Sequence, residues 1–294
     1  MEDHRTIKAI QIGGLAREVL IPGTKGSVMG VTSTGIFLNA ANVILFITEV
    51  PYNSPYNIQV ETMARLTPQI SIGDAWSVEG EQIIFDRTHF QVDFETAQVW
   101  KPSPPKSADN LKVEQIKRMD VLLERFTALD PGKGWLFLRE AGRVSGATKS
   151  VLEAQRVHHW TEQFIADVRR PDLPTCLESA RPILGLGGGL TPSGDDWLTG
   201  FFLYFARANR QDQFMLDLGE AITSMALERT TSISANRIKA ACQGWAEEIF
   251  LEVLDHLLVS SVELTDEKIQ RLANFGHSSG VDTCMGIYSA LSLD

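Results

Sequence analysis

The decapeptide "KPSPPKSADN", Lys101 to Asn110, constrains the fold more than any other stretch of the chain. Three prolines in a polar run fix φ and remove backbone donors, so neither a helix nor a central strand passes through it. The hydrophobic grammar differs on its two sides. Before it, "GSVMGVTSTGIFLNAANVILFITEV" holds three short runs rich in Val, Ile and Phe, interrupted at Ser33-Thr34-Gly35 and at Asn39 to Asn42. Interruptions of that kind between β-branched runs read as hairpin turns. "QISIGDAWSVEGEQIIFD" repeats the pattern, with Glu79-Gly80-Glu81 as its turn. After the break, Ile116, Met119, Leu122, Leu123, Phe126 and Leu129 recur at steps of three and four, one face of a helix. Residues 150–168, 212–228, 233–259 and 266–274 are further helix candidates. The expected fold class is α+β. A β-rich domain, an antiparallel sheet or small barrel, spans 1–105, and a mainly helical domain spans 106–294.

Composition removes several function classes. The chain has 294 residues and a net charge of −10, the wrong sign for a surface that displaces counterions from nucleic acid. No apolar run reaches the ~18 residues that span a bilayer, and the charged start "MEDHRTIKAI" predicts no secretory signal. Cys176, Cys242 and Cys284 lie far apart in sequence and form no C-x-x-C pair, which argues against a disulfide framework or a zinc site and fits a reduced cytoplasmic setting. A small anionic metabolite remains compatible with the acidic total, because a local pocket can oppose the global sign.

Chemistry concentrates in the second half. "GLGGGLTPSGDDWLTGFF", Gly185 to Phe202, places five glycines and two adjacent carboxylates ahead of an apolar run. Pro192 predicts that a helix begins just after it, with Ser193 as N-cap and Asp196 at the third helical position. Asp195 and Asp196 in the first turn suit the helix dipole, and the apolar residues that follow predict a helix buried on most faces. Capping does not account for Gly185, Gly187, Gly188 and Gly189. Glycines are costly to order and useful where backbone N–H groups cradle an anion. Neither a P-loop nor a G-x-G-x-x-G fingerprint is present, and a bare anion beside two aspartates would be repelled. A magnesium-bound anion would not, so Asp195 and Asp196 are candidate metal ligands. Binding site and plain architecture both remain open.

The spacing Ser193-Gly194-x-Asp196 with Gly200 recurs as Ser279-Gly280-x-Asp282 with Gly286. Ordinary capping rules could produce both. The sharper expectation is that two helix starts converge on one polar pocket, with Asp195, Asp196, Asp282 and His277 as catalytic candidates. In "ERTTSISANRIKAACQG", Thr230, Thr231, Ser232 and Ser234 crowd a helix start with more hydroxyls than a cap requires. Arg229 beside them is a candidate anion contact, while Arg237 reads as a solvated helix residue. The candidate substrate-binding set is Gly187, Gly188, Gly189, Thr191, Ser193, Arg229, Thr230, Thr231 and Ser279.

These three stretches, in this order and spacing, resemble a bacterial family long of unknown function, one branch of which is named as a subunit of oxamate carbamoyltransferase in anaerobic allantoin degradation. The likeness covers chiefly residues 180–294, and its G-L-T-P-S-G-D-D core is specific. Trp197 stands where the family usually has Phe. The resemblance implies a cytoplasmic enzyme component that works on carbamoyl phosphate and a small carboxylate, with other subunits as partners. A non-catalytic interaction subunit, or another metal-dependent transferase or ligase, are the alternatives.

Overall fold

The structure is a computed structural model that describes residues 6–64, 66–106, 108–140, 149–208 and 212–293. It divides into two compact units, Met1–Ser103 and Pro104–Asp294. In the first, β1 (Thr6–Gly13) leads into a short helix α1 (Gly14–Val19). The strands β2 (Lys25–Val31), β3 (Gly35–Ala40), β4 (Val43–Thr48) and β5 (Asn57–Val60) follow. Then come β6 (Ala75–Glu79), β7 (Gln82–Phe85), β8 (Phe90–Asp93) and β9 (Gln98–Trp100). They form one sheet in the order β5-β4-β3-β2-β6-β7-β8-β1-β9, and an added pairing of β5 with β1 closes it into a barrel. Closure leaves few unpaired strand edges, the usual hazard of small sheets. The pairings are mixed: β1 runs parallel to β8 and β9, and β4 parallel to β5, while the rest are antiparallel.

Period-two burial explains the barrel. Trp76 and Val78 on β6, Ile83 and Phe85 on β7, and Phe90 and Val92 on β8 are buried, with more exposed neighbours between them. Their inward faces join one apolar cluster. The expected interruption at Asn39 to Asn42 is a two-residue hairpin. Ala41 and Asn42 both have positive φ, and the Asn42 N–H is taken by the Asn39 side-chain oxygen at 3.0 Å.

The second unit is helical: α2 (Lys112–Leu129), α3 (Lys149–Val168), α4 (Leu173–Ala180), α5 (Ser193–Arg207), α6 (Gln213–Arg229), α7 (Ser232–Cys242), α8 (Glu248–Leu258), α9 (Asp266–Ala273) and α10 (Ser279–Leu293). Helix α2 buries Met119, Leu122, Leu123 and Phe126 as the periodicity predicts, but Leu129 is exposed, because its turn runs out past the packed face. The single helix expected over 233–259 is two. Gly244 adopts a φ of 76° after α7, and the chain turns before α8. Helix α4 was not anticipated; its apolar positions are too few for a clear period.

Helix α5 is the centre of this unit, with Trp197, Leu198, Phe201, Phe202, Leu203 and Tyr204 essentially inaccessible. It packs on α10 and α7, and Phe164 from α3 meets Trp197 and Phe201 edge-on at 5.8 and 5.2 Å. The crossing with α10 is reciprocal. A Cβ on Gly200 would lie 1.9 Å from the Thr283 carbonyl oxygen, and one on Gly286 would lie 1.9 Å from that of Trp197. Each helix therefore uses its glycine to admit the other's backbone, and the recurring sequence spacing is a recurring contact. Gly286→Ala should destabilise the fold by about 1–3 kcal/mol through overpacking, and Gly200→Ala similarly, whereas Gly188→Ala, with open space around it, should stay within ~0.5 kcal/mol. Urea unfolding of the three variants checks this order.

Candidate functional site

The crossing glycines lie about two turns in from the start of each helix, and at this close approach the two N-termini are brought together. The Thr191 and Ser279 hydroxyls touch at 2.9 Å, linking the segment before α5 to the first residue of α10. Neither serine caps its helix. Ser193 is already the first helical residue, and the Pro192 carbonyl accepts from the N–H groups of Asp195 and Asp196 at 3.0 and 3.1 Å. Ser279 likewise opens α10, and the Ser278 carbonyl accepts from Asp282 N–H at 2.9 Å. The expected capping frame is thus displaced by one residue, since the residue ahead of each serine supplies the capping carbonyl. That frees the serine hydroxyls for the opposite helix. Ser193 lies near the Asp282 carboxylate and Ser279 near that of Asp196, and each favours the charged form of the carboxyl it faces.

The three aspartates take different partners. Asp195 is a clamp: its Oδ1 accepts from Gly185 N–H at 2.8 Å and its Oδ2 from the Thr230 hydroxyl. Asp196 Oδ1 pairs with Arg237, whose remaining nitrogens reach Glu247 at 3.1 and 3.4 Å, with the guanidinium over the Phe250 ring at 5.7 Å. Arg237 is therefore not the solvated residue its sequence context suggested. Helix α7 presents it inward to the carboxylates it neutralises. Asp282 Oδ1 accepts from Trp135 N–H at 2.7 Å, and Gly134 leaves room for that approach, since a Cβ there would stand 2.3 Å from the same oxygen.

Burial raises the pKa of all three. Asp196, 1% exposed, is pushed up to about 7 by desolvation, against the opposing pull of Arg237 and Ser279 and with a further push from Asp282. Asp282, fully buried, is raised by desolvation, offset by Ser278, Ser193, the Trp135 N–H and His277. Asp195 is raised by desolvation, offset chiefly by Thr230 and Gly185. Desolvation opposes the charge on Arg237, but Glu247 and Asp196 outweigh it and hold the guanidinium above its ordinary value. One oxygen each of Asp196 and Asp282, both named Oδ2, is buried without a hydrogen-bond partner among the described residues.

The glycine-rich segment lies against this cluster. Gly187, at φ 123°, crosses the start of α5 so closely that a Cβ would sit 2.7 Å from Ser193 N. Gly185 and Gly189 also have positive φ, so three of the four glycines answer a backbone requirement. Gly188 does not; it is exposed with open space around it. The surplus hydroxyls of the α7 start hold the loop in place: Thr230 reaches Asp195, and Thr231 donates to the Leu190 carbonyl at 2.6 Å while capping α7 through Ser234 N–H. Arg229, in the last turn of α6, is exposed, and its carbonyl borders Gly185. His277 is exposed on the Asp282 side.

A magnesium held by Asp195 and Asp196 does not fit these donors. Both oxygens of Asp195 are engaged, and Asp196 carries a guanidinium on one. Among the described residues no group of three or more His, Cys, Asp or Glu side chains gathers as a metal site. Sequence reasoning missed Arg237, Glu247, Gly134 and Trp135. The spacing of Arg237 one turn beyond the hydroxyl cluster was the available signal for the first; nothing local marks the others.

The site defines an α+β protein whose helical unit joins two like helix starts around buried carboxyls. The family model described as oxamate carbamoyltransferase subunit AllH matches residues 183–291, a stretch that runs from just before the glycine-rich loop through α10. No solved structure matches the chain significantly. Among the described residues no helix is long and apolar enough to cross a membrane.

Two outcomes follow. Arg237→Met leaves Asp196 and Glu247 without their cation and should cost about 3–5 kcal/mol near neutral pH, with part recovered in Arg237→Met/Asp196→Asn; urea midpoints measure both. Asp196 binds its proton more tightly in the folded protein (about 7) than in the unfolded chain (~3.9). The folded state therefore holds more protons between these values, and this group's contribution to stability falls as pH rises through that window. The stability difference between wild type and Asp196→Asn should shift toward the variant from pH 4.5 to 7.5; a constant difference would contradict the raised pKa.

Proposed function

We propose that the chain is a substrate-binding subunit of a carbamoyltransferase that uses carbamoyl phosphate and a small carboxylate such as oxamate. The observation that carries this reading is a coincidence of position. The residues matched by the family model include both helix starts, the glycine-rich loop, Arg229 and Arg237. The word "subunit" in the family description favours a hetero-oligomeric assembly, with the active complex completed by partner chains. The exposed lip at Gly187 to Gly189, in the loop whose Gly185 borders the Arg229 carbonyl, suits the anionic end of a substrate. Gly188 offers backbone where no side chain obstructs approach, and a guanidinium matches phosphate or carboxylate oxygens. In this reading Thr191, Ser193, Thr230, Thr231 and Ser279 belong to the binding region, and Asp196, Asp282 and His277 are the groups that handle protons.

Carbamoyl transfer joins the carbamoyl carbon to an acceptor nitrogen, releases phosphate, and removes a proton from that nitrogen. Holding the two reactants together and stabilising the departing phosphate are the contributions a binding subunit makes. Asp195, with both oxygens committed to the loop, acts in this reading as the residue that keeps the lip in shape rather than as a reactant.

The test is calorimetric titration of the chain, alone and with its partner subunits, with carbamoyl phosphate and with oxamate. Binding of at least one is expected. Arg229→Gln should weaken carbamoyl phosphate binding about tenfold, the scale of one hydrogen bond to a charged group, with little change in melting temperature because the side chain is exposed. Absence of heat for both compounds in the assembled complex would overturn the reading and leave the chain as an interaction subunit.

A further inference from the structure

We infer that Asp196 and Asp282 together form a carboxamide subsite, in which their two unpartnered Oδ2 atoms accept the two hydrogens of a single –NH₂ group. The inference rests on the reading of the chain as a carbamoyltransferase subunit and goes further by assigning the atoms that recognise the nitrogen.

Two buried acceptors without donors are the starting point. A buried polar oxygen left unpaired costs free energy, and native interiors rarely tolerate it. Here two occur on neighbouring carboxyls: Asp196 is 1% and Asp282 0% exposed, the charge of Asp282 acts on Asp196, and among the described residues each lacks a hydrogen-bond partner at Oδ2. They belong to helices whose starts are pinned by the Thr191–Ser279 contact. In both residues the other oxygen is fixed, by Arg237 on Asp196 and by Trp135 N–H on Asp282. The two side chains are therefore oriented, with one acceptor apiece left over. The hydroxyls beside them, Thr191, Ser193 and Ser278, are half-buried, so the pair lies one layer below the surface.

The missing partner is a donor of two hydrogens. A metal cation is disfavoured by the guanidinium already seated on Asp196. An anion is disfavoured by the carboxylates. A primary carboxamide nitrogen carries two N–H donors, no charge and no acceptor of its own. Carbamoyl phosphate and oxamate both end in that group. A site built around buried acceptors rejects an isostere that lacks the hydrogens, because the acceptors are then left empty.

Oxamate and pyruvate supply the test, since they differ only in –NH₂ against –CH₃ and carry the same charge; carbamoyl phosphate and acetyl phosphate form a second such pair. Calorimetry on the chain with its partner subunits should show the carboxamide of each pair bound at least about tenfold more tightly than its methyl counterpart. Asp282→Asn keeps the acceptor for Trp135 N–H and places a donor where the free oxygen was. It should melt no lower than wild type yet lose that preference. Equal binding of oxamate and pyruvate, and of carbamoyl phosphate and acetyl phosphate, overturns the subsite while leaving the transferase reading in place; so does an Asp282→Asn protein that keeps the wild-type preference. Failure of all four compounds to bind overturns both.

Discussion

The close crossing of α5 and α10 is the constraint on which the helical unit depends. Two helices whose backbones touch through glycine approach nearer than side chains would permit, and the reciprocal contacts of Gly200 and Gly286 fix both rotation and register. Once that register is set, the first turns of both helices meet, and their serines and aspartates are obliged to share one small volume. Everything polar in the site is an answer to that crowding. Hydroxyls on each helix lie beside the carboxylate of the other, and a third helix, α7, supplies a guanidinium to the buried negative charge.

Two adjacent aspartates illustrate how position decides role. Asp195 and Asp196 have the same chemistry and the same burial, but successive residues on a helix face different directions. One turns toward Gly185 and Thr230 and fastens a loop; the other turns toward Arg237 and α10 and enters the carboxyl pair. The excess of hydroxyls at the start of α7 is resolved by the same logic: Thr231 caps its own helix and also holds Leu190, so the cap and the loop anchor are one side chain.

The broad architecture was legible because it depends on local periodicity. Strand alternation across Trp76, Val78, Ile83 and Phe85, and the helical steps of Met119, Leu122, Leu123 and Phe126, are written in neighbouring residues. Local pattern leaves a sheet and a barrel equally open, since the β1–β5 pairing joins segments far apart in sequence and leaves no local mark. The parallel pairings were invisible for the same reason. In the site, the recurring serine-glycine-aspartate spacing identified the two helix starts correctly but suggested capping serines, because cap and first helical residue differ only in backbone angle. Arg237 looked solvated because its partners, Asp196 and Glu247, lie on α5 and just ahead of α8, and only folding brings them to it. Three of the four loop glycines proved to be required by turns or close contact, which the composition alone could not separate from ligand binding.

The two helix starts are alike in sequence and in mutual contact, yet they are completed differently: a charged side chain faces one carboxyl and a peptide N–H faces the other. A cradle of equal halves would accept a small molecule in either of two orientations. Unequal backing breaks that tie. It gives the paired helix starts a head and a tail, so that near-symmetry supplies the arrangement and the departure from it supplies a direction.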